Sequence, residues 1–278
     1  MKKKNINYTE LGLSLACGNF NVQLRQVCKR QIENLINFKL FSLSSGTKFM
    51  VTSGVSNLSV NPWITSNKTE IGDVLNGESC ADLADFPENM YDAACANFHD
   101  GTPVVCGGAY LTTYYQKCYK FTNFGWQEFA SMKEKRAHAA GCMYKDKFHI
   151  FGGGDATTSL FLNTSEIIRI DGVVEYGPDL PTLVFAHKIT AINATVSILS
   201  GGITSTDSYT AATWYYNHVT SSFSSGPSLL EGRRSHGSAT IMDTVTKAKI
   251  VVVAGGFNVT NMKSTELLIN GQWQQGTI

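Results

Sequence analysis

From about residue 38 onward, apolar and polar positions alternate in short runs that fit β-strands of about five residues, and the 3.6-residue period of a helix is missing from them. Five runs end in a pair of small residues. Phe49-Met50-Val51-Thr52 leads into Ser53-Gly54, and Pro103-Val104-Val105-Cys106 into Gly107-Gly108. Phe148-His149-Ile150-Phe151 leads into Gly152-Gly153, Val196-Ser197-Ile198-Leu199 into Gly201-Gly202, and Ile250-Val251-Val252-Val253 into Gly255-Gly256. The pairs stand 54, 45, 49 and 54 residues apart. Self-similarity at a fixed period of this size is the mark of a repeat architecture.

Two further series keep the period. Asn76-Gly77, Phe124-Gly125, Asp171-Gly172 and Asn270-Gly271 read as hairpin turns, with type I′ expected because Asn-Gly and Asp-Gly tolerate positive φ at both central positions. Thr69-Glu70-Ile71, Ser165-Glu166-Ile167 and Thr265-Glu266-Leu267 precede them, with Cys118-Tyr119 and Trp214-Tyr215 in the same place elsewhere. Trp126 and Trp273 follow the turns, with Val174 and Phe223 as weaker equivalents. In the third series, Arg136-Ala137-His138, Ala186-His187 and Arg234-Ser235-His236 space their histidines 49 and 49 residues apart. Each unit therefore reads strand, hairpin, strand ending in the small pair, loop, strand, turn, and a strand that carries the aromatic.

On the phased Gly-Gly pairs, the aromatic strand and the Trp126 and Trp273 positions, residues 38–278 resemble the kelch-repeat family of β-propellers. The resemblance implies an all-β ring of four-stranded antiparallel blades with five units visible, either five-bladed or an incomplete six-bladed ring. The departures are Ser53 in the first pair and tryptophan in only two units. Residues 1–37 are too few for another blade. Asn21 to Asn37 reads as a helix with Leu24, Cys28, Ile32 and Leu35 on one face, and Leu11 to Ala16 could supply a closing strand.

Composition narrows the partners. Over 278 residues the formal net charge is +1, so there is no basic excess to hold a nucleic acid or an acidic membrane surface. Charged residues make up 16%, below the ~25% of an average chain, as sheets buried on both faces require. No apolar run approaches the ~18 residues of a membrane-spanning helix. Met1-Lys2-Lys3-Lys4 looks like the start of a signal peptide but is followed by polar residues; a chain whose true start lies upstream would read the same.

Candidate chemistry is sparse. No cofactor is expected. The in-phase histidines sit on different blades, too far apart for one metal centre, and the repeated glutamates read as backbone-binding rather than catalytic. Gly152-Gly153-Gly154-Asp155 lacks the Lys-Ser/Thr of a phosphate loop. Of seven cysteines, Cys106 and Cys118 end and begin adjacent antiparallel strands and can face each other as a disulfide. Cys80–Cys95 is the remaining local pairing, Cys17–Cys28 is open to the N-terminal segment, and Cys142 is left as a buried thiol; seven cytosolic thiols are the alternative. Sequons at Asn67, Asn163, Asn193 and Asn258 fall in loops or at a hairpin tip, with others at Asn7 and Asn57, and favour an extracellular chain over a cytoplasmic one.

The expectation for function is a non-catalytic module that binds a protein partner through its loops, Ala109–Gln116, Asp155–Leu162, Ile203–Ala211 and Phe257–Ser264. Tyr110, Tyr114, Tyr115, Phe161 and Tyr209 are the candidate anchors, with Arg136 and Arg234 at one mouth of the ring for an acidic group. The alternatives are a galactose-oxidase-like copper enzyme, for which no residue-by-residue match is found, and a carbohydrate-binding propeller using the same aromatics.

Overall fold

The computed structural model describes residues 39–42, 48–57, 64–73, 81–155, 160–204, 208–243 and 246–276. The helix and closing strand expected before residue 38, Cys17, Cys28, Cys80 and the Asn76-Gly77 turn lie outside them. All regular structure among the described residues is β. Five four-stranded antiparallel sheets follow one another as propeller blades, each a simple meander in chain order.

The first blade is Lys39–Ser42, Lys48–Asn57, Ile64–Asp73 and Ala81–Asp82. The second is Ala94–Asn97, Pro103–Cys106, Lys117–Thr122 and Gly125–Ser131, and the third Ala140–Tyr144, Lys147–Phe151, Ser165–Arg169 and Val174–Tyr176. The fourth is Lys188–Ala191, Val196–Ser200, Thr213–Asn217 and Ser222–Ser225, and the fifth Gly237–Met242, Lys249–Ala254, Thr265–Ile269 and Gln272–Gly276. The first strands of successive blades touch in turn, so they form the innermost layer.

The period-two pattern works because each sheet is buried on both faces. Cys95 and Val105 join Met50 of the first blade, whereas Val104 and Cys106 join Phe148 and Ile150 of the third. Phe151 meets Leu199 and Tyr216 in the next seam, and Ile198 meets Val251 and Val253 in the one after. Four apolar clusters therefore fill four seams. Trp126 also donates its indole N–H to Thr69 Oγ1 at 3.0 Å, and Trp273 donates to the Pro227 carbonyl at 2.9 Å, so both tryptophans stitch to the element before their own blade.

The small pairs are required by close approach. A Cβ on Gly153 (φ +80°) would lie 2.5 Å from the Ala137 carbonyl oxygen, and one on Gly202 would lie 2.9 Å from that of Phe185. Ser53 stands in the first blade because the leading position needs only φ 49°, which a small polar residue can adopt; the second remains glycine, Gly54. The turns are less uniform than expected. Only Asn270-Gly271 has positive φ at both residues (50° and 76°); in Phe124-Gly125 and Asp171-Gly172 the glycine alone does.

The linkers into the second to fifth blades are locked against the small-pair loops. Tyr91, Ala137, Phe185 and Arg234 bridge to Ala109, Gly154, Ile203 and Phe257. The residue after each is left-handed: Asp92, His138, Ala186 and Ser235, with φ between 52° and 58°. Their peptides bond in sequence from blade to blade. His138 N–H donates to the Asp92 carbonyl (2.8 Å), Ala186 N–H to His138 (3.0 Å) and Ser235 N–H to Ala186 (2.9 Å). This register corrects the histidine series: His187 and His236 are equivalent, but His138 lies one position earlier, level with Ala186 and Ser235.

It corrects the arginines too. The counterpart of Arg136 is Arg233, not Arg234. Arg136 is fully buried; its guanidinium donates to Glu166 (2.8 Å) and to the Gly152 and Thr164 carbonyls (2.9 and 3.1 Å). Arg233 repeats this with Glu266 (2.6 Å), Gly255 and Ser264 (3.0 and 3.1 Å). Each glutamate also takes two linker N–H groups, from Lys133 and Glu134 or from Leu230 and Glu231. In the second and fourth blades the same two places hold Met90 with Tyr119 and Val184 with Trp214, inside apolar clusters.

Replacing one member of a buried ion pair strands the other charge, whereas replacing both by packed apolar groups can be tolerated. Arg136→Val is therefore expected to lose about 3–5 kcal/mol in urea unfolding. Arg136→Val with Glu166→Trp, which copies the fourth blade, is expected to recover at least half of that. A double variant no better than the single one would show that the pair's charges are not the cause.

Candidate functional site

The second-to-third strand connections leave from one end of the blades and carry most of the residues singled out in the sequence. Ala109–Tyr110 pairs with Thr113–Tyr114, and Phe257–Asn258 with Thr260–Asn261, as small ribbons above their sheets. Tyr110, Tyr114, Tyr115, Phe161 and Tyr209 are all half-buried. Tyr115 packs into the seam between the first and second blades, where burial raises its hydroxyl pKa, so it is partly structural.

Phe161 and Tyr209 belong to a continuous aromatic band. Phe161 stacks on Phe185 at 5.0 Å, and Phe185 lies 4.2 Å from the His138 ring. Phe161 and Tyr209 pack on the cluster of Phe185, Ala186 and Ile203. Tyr209 meets Phe257 edge-on at 5.8 Å, and the Arg234 guanidinium lies 5.0 Å above the Phe257 ring. Loop aromatics and linker residues of the following blade thus interleave. Phe185 and Phe257 were not picked out in the sequence. Their signal was position: one is the linker residue that bridges to the small-pair loop, the other the residue directly after a Gly-Gly.

The two arginines separate. Arg234 is half-buried at the loop end, and among the described residues it makes no ion pair and its Nε has no hydrogen-bond partner. Arg136 is consumed by Glu166 inside the third blade and is not available at the mouth. Leu111 and Val259, at the ribbon tips, are 47% and 77% exposed and both left-handed (φ 53° and 58°). Positive φ is uncommon for leucine and an outlier for β-branched valine, and neither side chain is sheltered in return.

Cys106 and Cys118 are disulfide-bonded, with Cα atoms 4.1 Å apart. Cys95 is also disulfide-bonded. Cys142 is the free cysteine among the described residues and is buried in the seam between the third and fourth blades. Its thiol lies 3.9 Å from His218 Nε2, which is 2.8 Å from Ser197 Oγ, while the Tyr216 hydroxyl is 3.3 Å from His149 Nδ1. Burial pushes the thiol pKa up to about 12, so it stays protonated and has no nucleophilic character. No group of three or more His, Cys, Asp and Glu side chains among the described residues is arranged to hold a metal.

The sequons differ in accessibility. Asn193 is exposed at a hairpin tip, where its Oδ1 accepts from Thr195 N–H, Val196 N–H and the Thr195 hydroxyl. Asn67 is half-buried and uses its Nδ2 to donate to the Phe86 carbonyl at 3.1 Å. Asn163 and Asn258 are half-buried.

No protein-family model matches the chain, and no curated protein matches it.

Four histidines are buried as neutral imidazoles, with burial the main cause of their low pKa values: His149 and His187 at about 3, His218 at about 4, and His236 well below the usual value. Both His187 ring nitrogens lack hydrogen-bond partners. A group that ionises near 6.5 when unfolded but far lower when folded draws protons into the unfolded state as pH falls. Its stabilising effect is complete above pH 6.5 and is lost toward pH 3. The melting temperature is expected to drop steadily below pH 6.5, His187 alone contributing roughly 2 kcal/mol between pH 6.5 and 5. His187→Leu should flatten that part of the profile; an unchanged slope would remove His187 from the account.

Proposed function

We propose that this chain is a kelch-type β-propeller that acts without catalysis, as an extracellular module binding a protein partner through the loop end of its blades. The observation that carries the reading is the aromatic band of Phe161, Phe185, Tyr209 and Phe257, flanked by Arg234, which has no ion pair among the described residues, and by exposed Leu111 and Val259. Phe161, Tyr209 and Phe257 are half-exposed rings held in place by the buried Phe185 and neighbouring blades, so they lose little entropy on binding, which suits them as anchors. The arginine supplies a charge that an acidic group on the partner would satisfy bidentately. The cross-strand disulfide of the second blade supports an oxidising compartment.

The test is affinity capture from a cell-surface fraction, comparing wild type with the triple variant Leu111→Asp, Val259→Asp and Arg234→Glu. These residues lie outside the seam clusters, so the melting temperature should not move. A protein recovered with wild type should be depleted about 30-fold or more with the variant, the loss expected from removing one strong anchor. Equal recovery of every captured protein would overturn the loop assignment, and binding only on a glycan array would replace the protein partner with a sugar.

The extracellular part has its own check. Peptide mapping of the natively expressed protein should find a glycan on Asn193, where the amide is exposed and presented by its turn, and none on Asn67, whose Nδ2 is engaged. An unmodified Asn193 would remove glycosylation as support for export.

A further inference from the structure

The innermost strands begin at equivalent positions: Ala94, Ala140, Lys188 and Gly237. Three are the small residues that converging strands need. Lys188 is long and cationic instead, and Lys39, opposite Thr52, holds the same register position in the first blade. The position before the strand, Asp92, His138, Ala186 and Ser235, is also unequal, and three of its four side chains are polar.

Lys188 and three of these polar residues meet in one place. A small cavity of about 20 Å³ at the inner edge of the loop end is lined by Asp92, His138, His187, Lys188 and Ser235, among others. That is room for one water-sized body. Asp92 Oδ2 lies 3.2 Å from His138 Nε2, so the carboxylate is already engaged. The Lys188 ammonium makes no ion pair or hydrogen bond among the described residues; its charge is opposed by burial and supported through space by Asp92. One carboxylate therefore faces two basic side chains in a space too small for another residue. Lys188, Arg233 and His187 all act through their charge on the buried His236, and Arg233 is itself paired with Glu266.

We propose that this cavity is a binding site for a single small monovalent anion of halide size, held by the Lys188 ammonium with the Ser235 hydroxyl as a second donor. The site adjoins the aromatic band through His138, whose ring lies 4.2 Å from Phe185, and stands whether or not a protein docks there.

The probe is bromide. Crystals of the full chain soaked in sodium bromide should show an anomalous peak within hydrogen-bond reach of Lys188 Nζ. In solution, chloride or bromide should raise the melting temperature by roughly 2–4 °C, saturably, over sodium gluconate at equal ionic strength, because gluconate is too large for the cavity. Lys188→Met should lose this halide shift and Lys188→Arg should keep at least part of it. A crystal with no bromide peak at Lys188, or a Lys188→Met variant that responds as wild type does, would overturn the site. Should Lys188→Met fail to fold, the bromide map of the wild-type protein decides alone.

Discussion

Three peptide hydrogen bonds, Asp92 to His138 to Ala186 to Ser235, pass from blade to blade, and the loop end is built on them. Each donor and acceptor sits at a left-handed residue, because only that turn lets the linker both bridge to the small-pair loop of its own blade and reach its neighbour. The backbone groups of the linkers would otherwise be buried without partners, a cost that no side chain nearby could cover. The glycine pairs follow from the same constraint. They are small because a linker carbonyl occupies the space where a Cβ would stand.

Side-chain chemistry adjusts this frame in two ways that alternate. In the third and fifth blades the linker is fixed by a buried Arg–Glu pair whose other hydrogen bonds run mostly to backbone, although Arg136 Nε has no partner among the described residues. In the second and fourth, methionine or valine against a tyrosine or tryptophan does the same by packing. Tyr119 keeps a trace of the polar solution, donating its hydroxyl to Glu88 at 2.5 Å. Two solutions at one position show that the backbone frame, not the ion pair, specifies the fold. The charges are tolerated because the glutamate oxygens and the terminal guanidinium nitrogens are hydrogen-bonded.

The strands, the blade count among the visible units and the Cys106–Cys118 bridge were legible in the sequence. Each rests on a periodic signal or on antiparallel register, and the seam clusters follow directly from period two. The linker register was not legible. Its special residue is left-handed yet is filled by Asp, His, Ala and Ser, so no glycine marks it, and His138 was aligned one position late for that reason. Arg233 and Arg234 are adjacent and chemically identical; a one-residue offset decides which is buried against Glu266 and which lies over Phe257. The aromatic anchors were found by their loops, but their half-burial was not, because it depends on linker residues of the next blade.

Repetition itself then separates structure from function. Glu166 and Glu266, Arg136 and Arg233, and the glycine pairs recur because every blade must solve the same packing problem, and what recurs is accounted for by that problem. What that problem does not account for is Lys188, with Lys39 at the same position of the first blade, Asp92 and His138 where alanine suffices, and the exposed leucine and valine that share one ribbon-tip position at unfavourable backbone angles. None of these improves a seam. A lysine chain in the innermost layer gives up conformational entropy and solvation without gaining an ion pair, and a neutral small residue would serve the strand as well. The departures also fall on one end of the blades, where the loops leave, rather than being scattered over the sheets. Drift in a degenerate repeat would have no reason to choose that end.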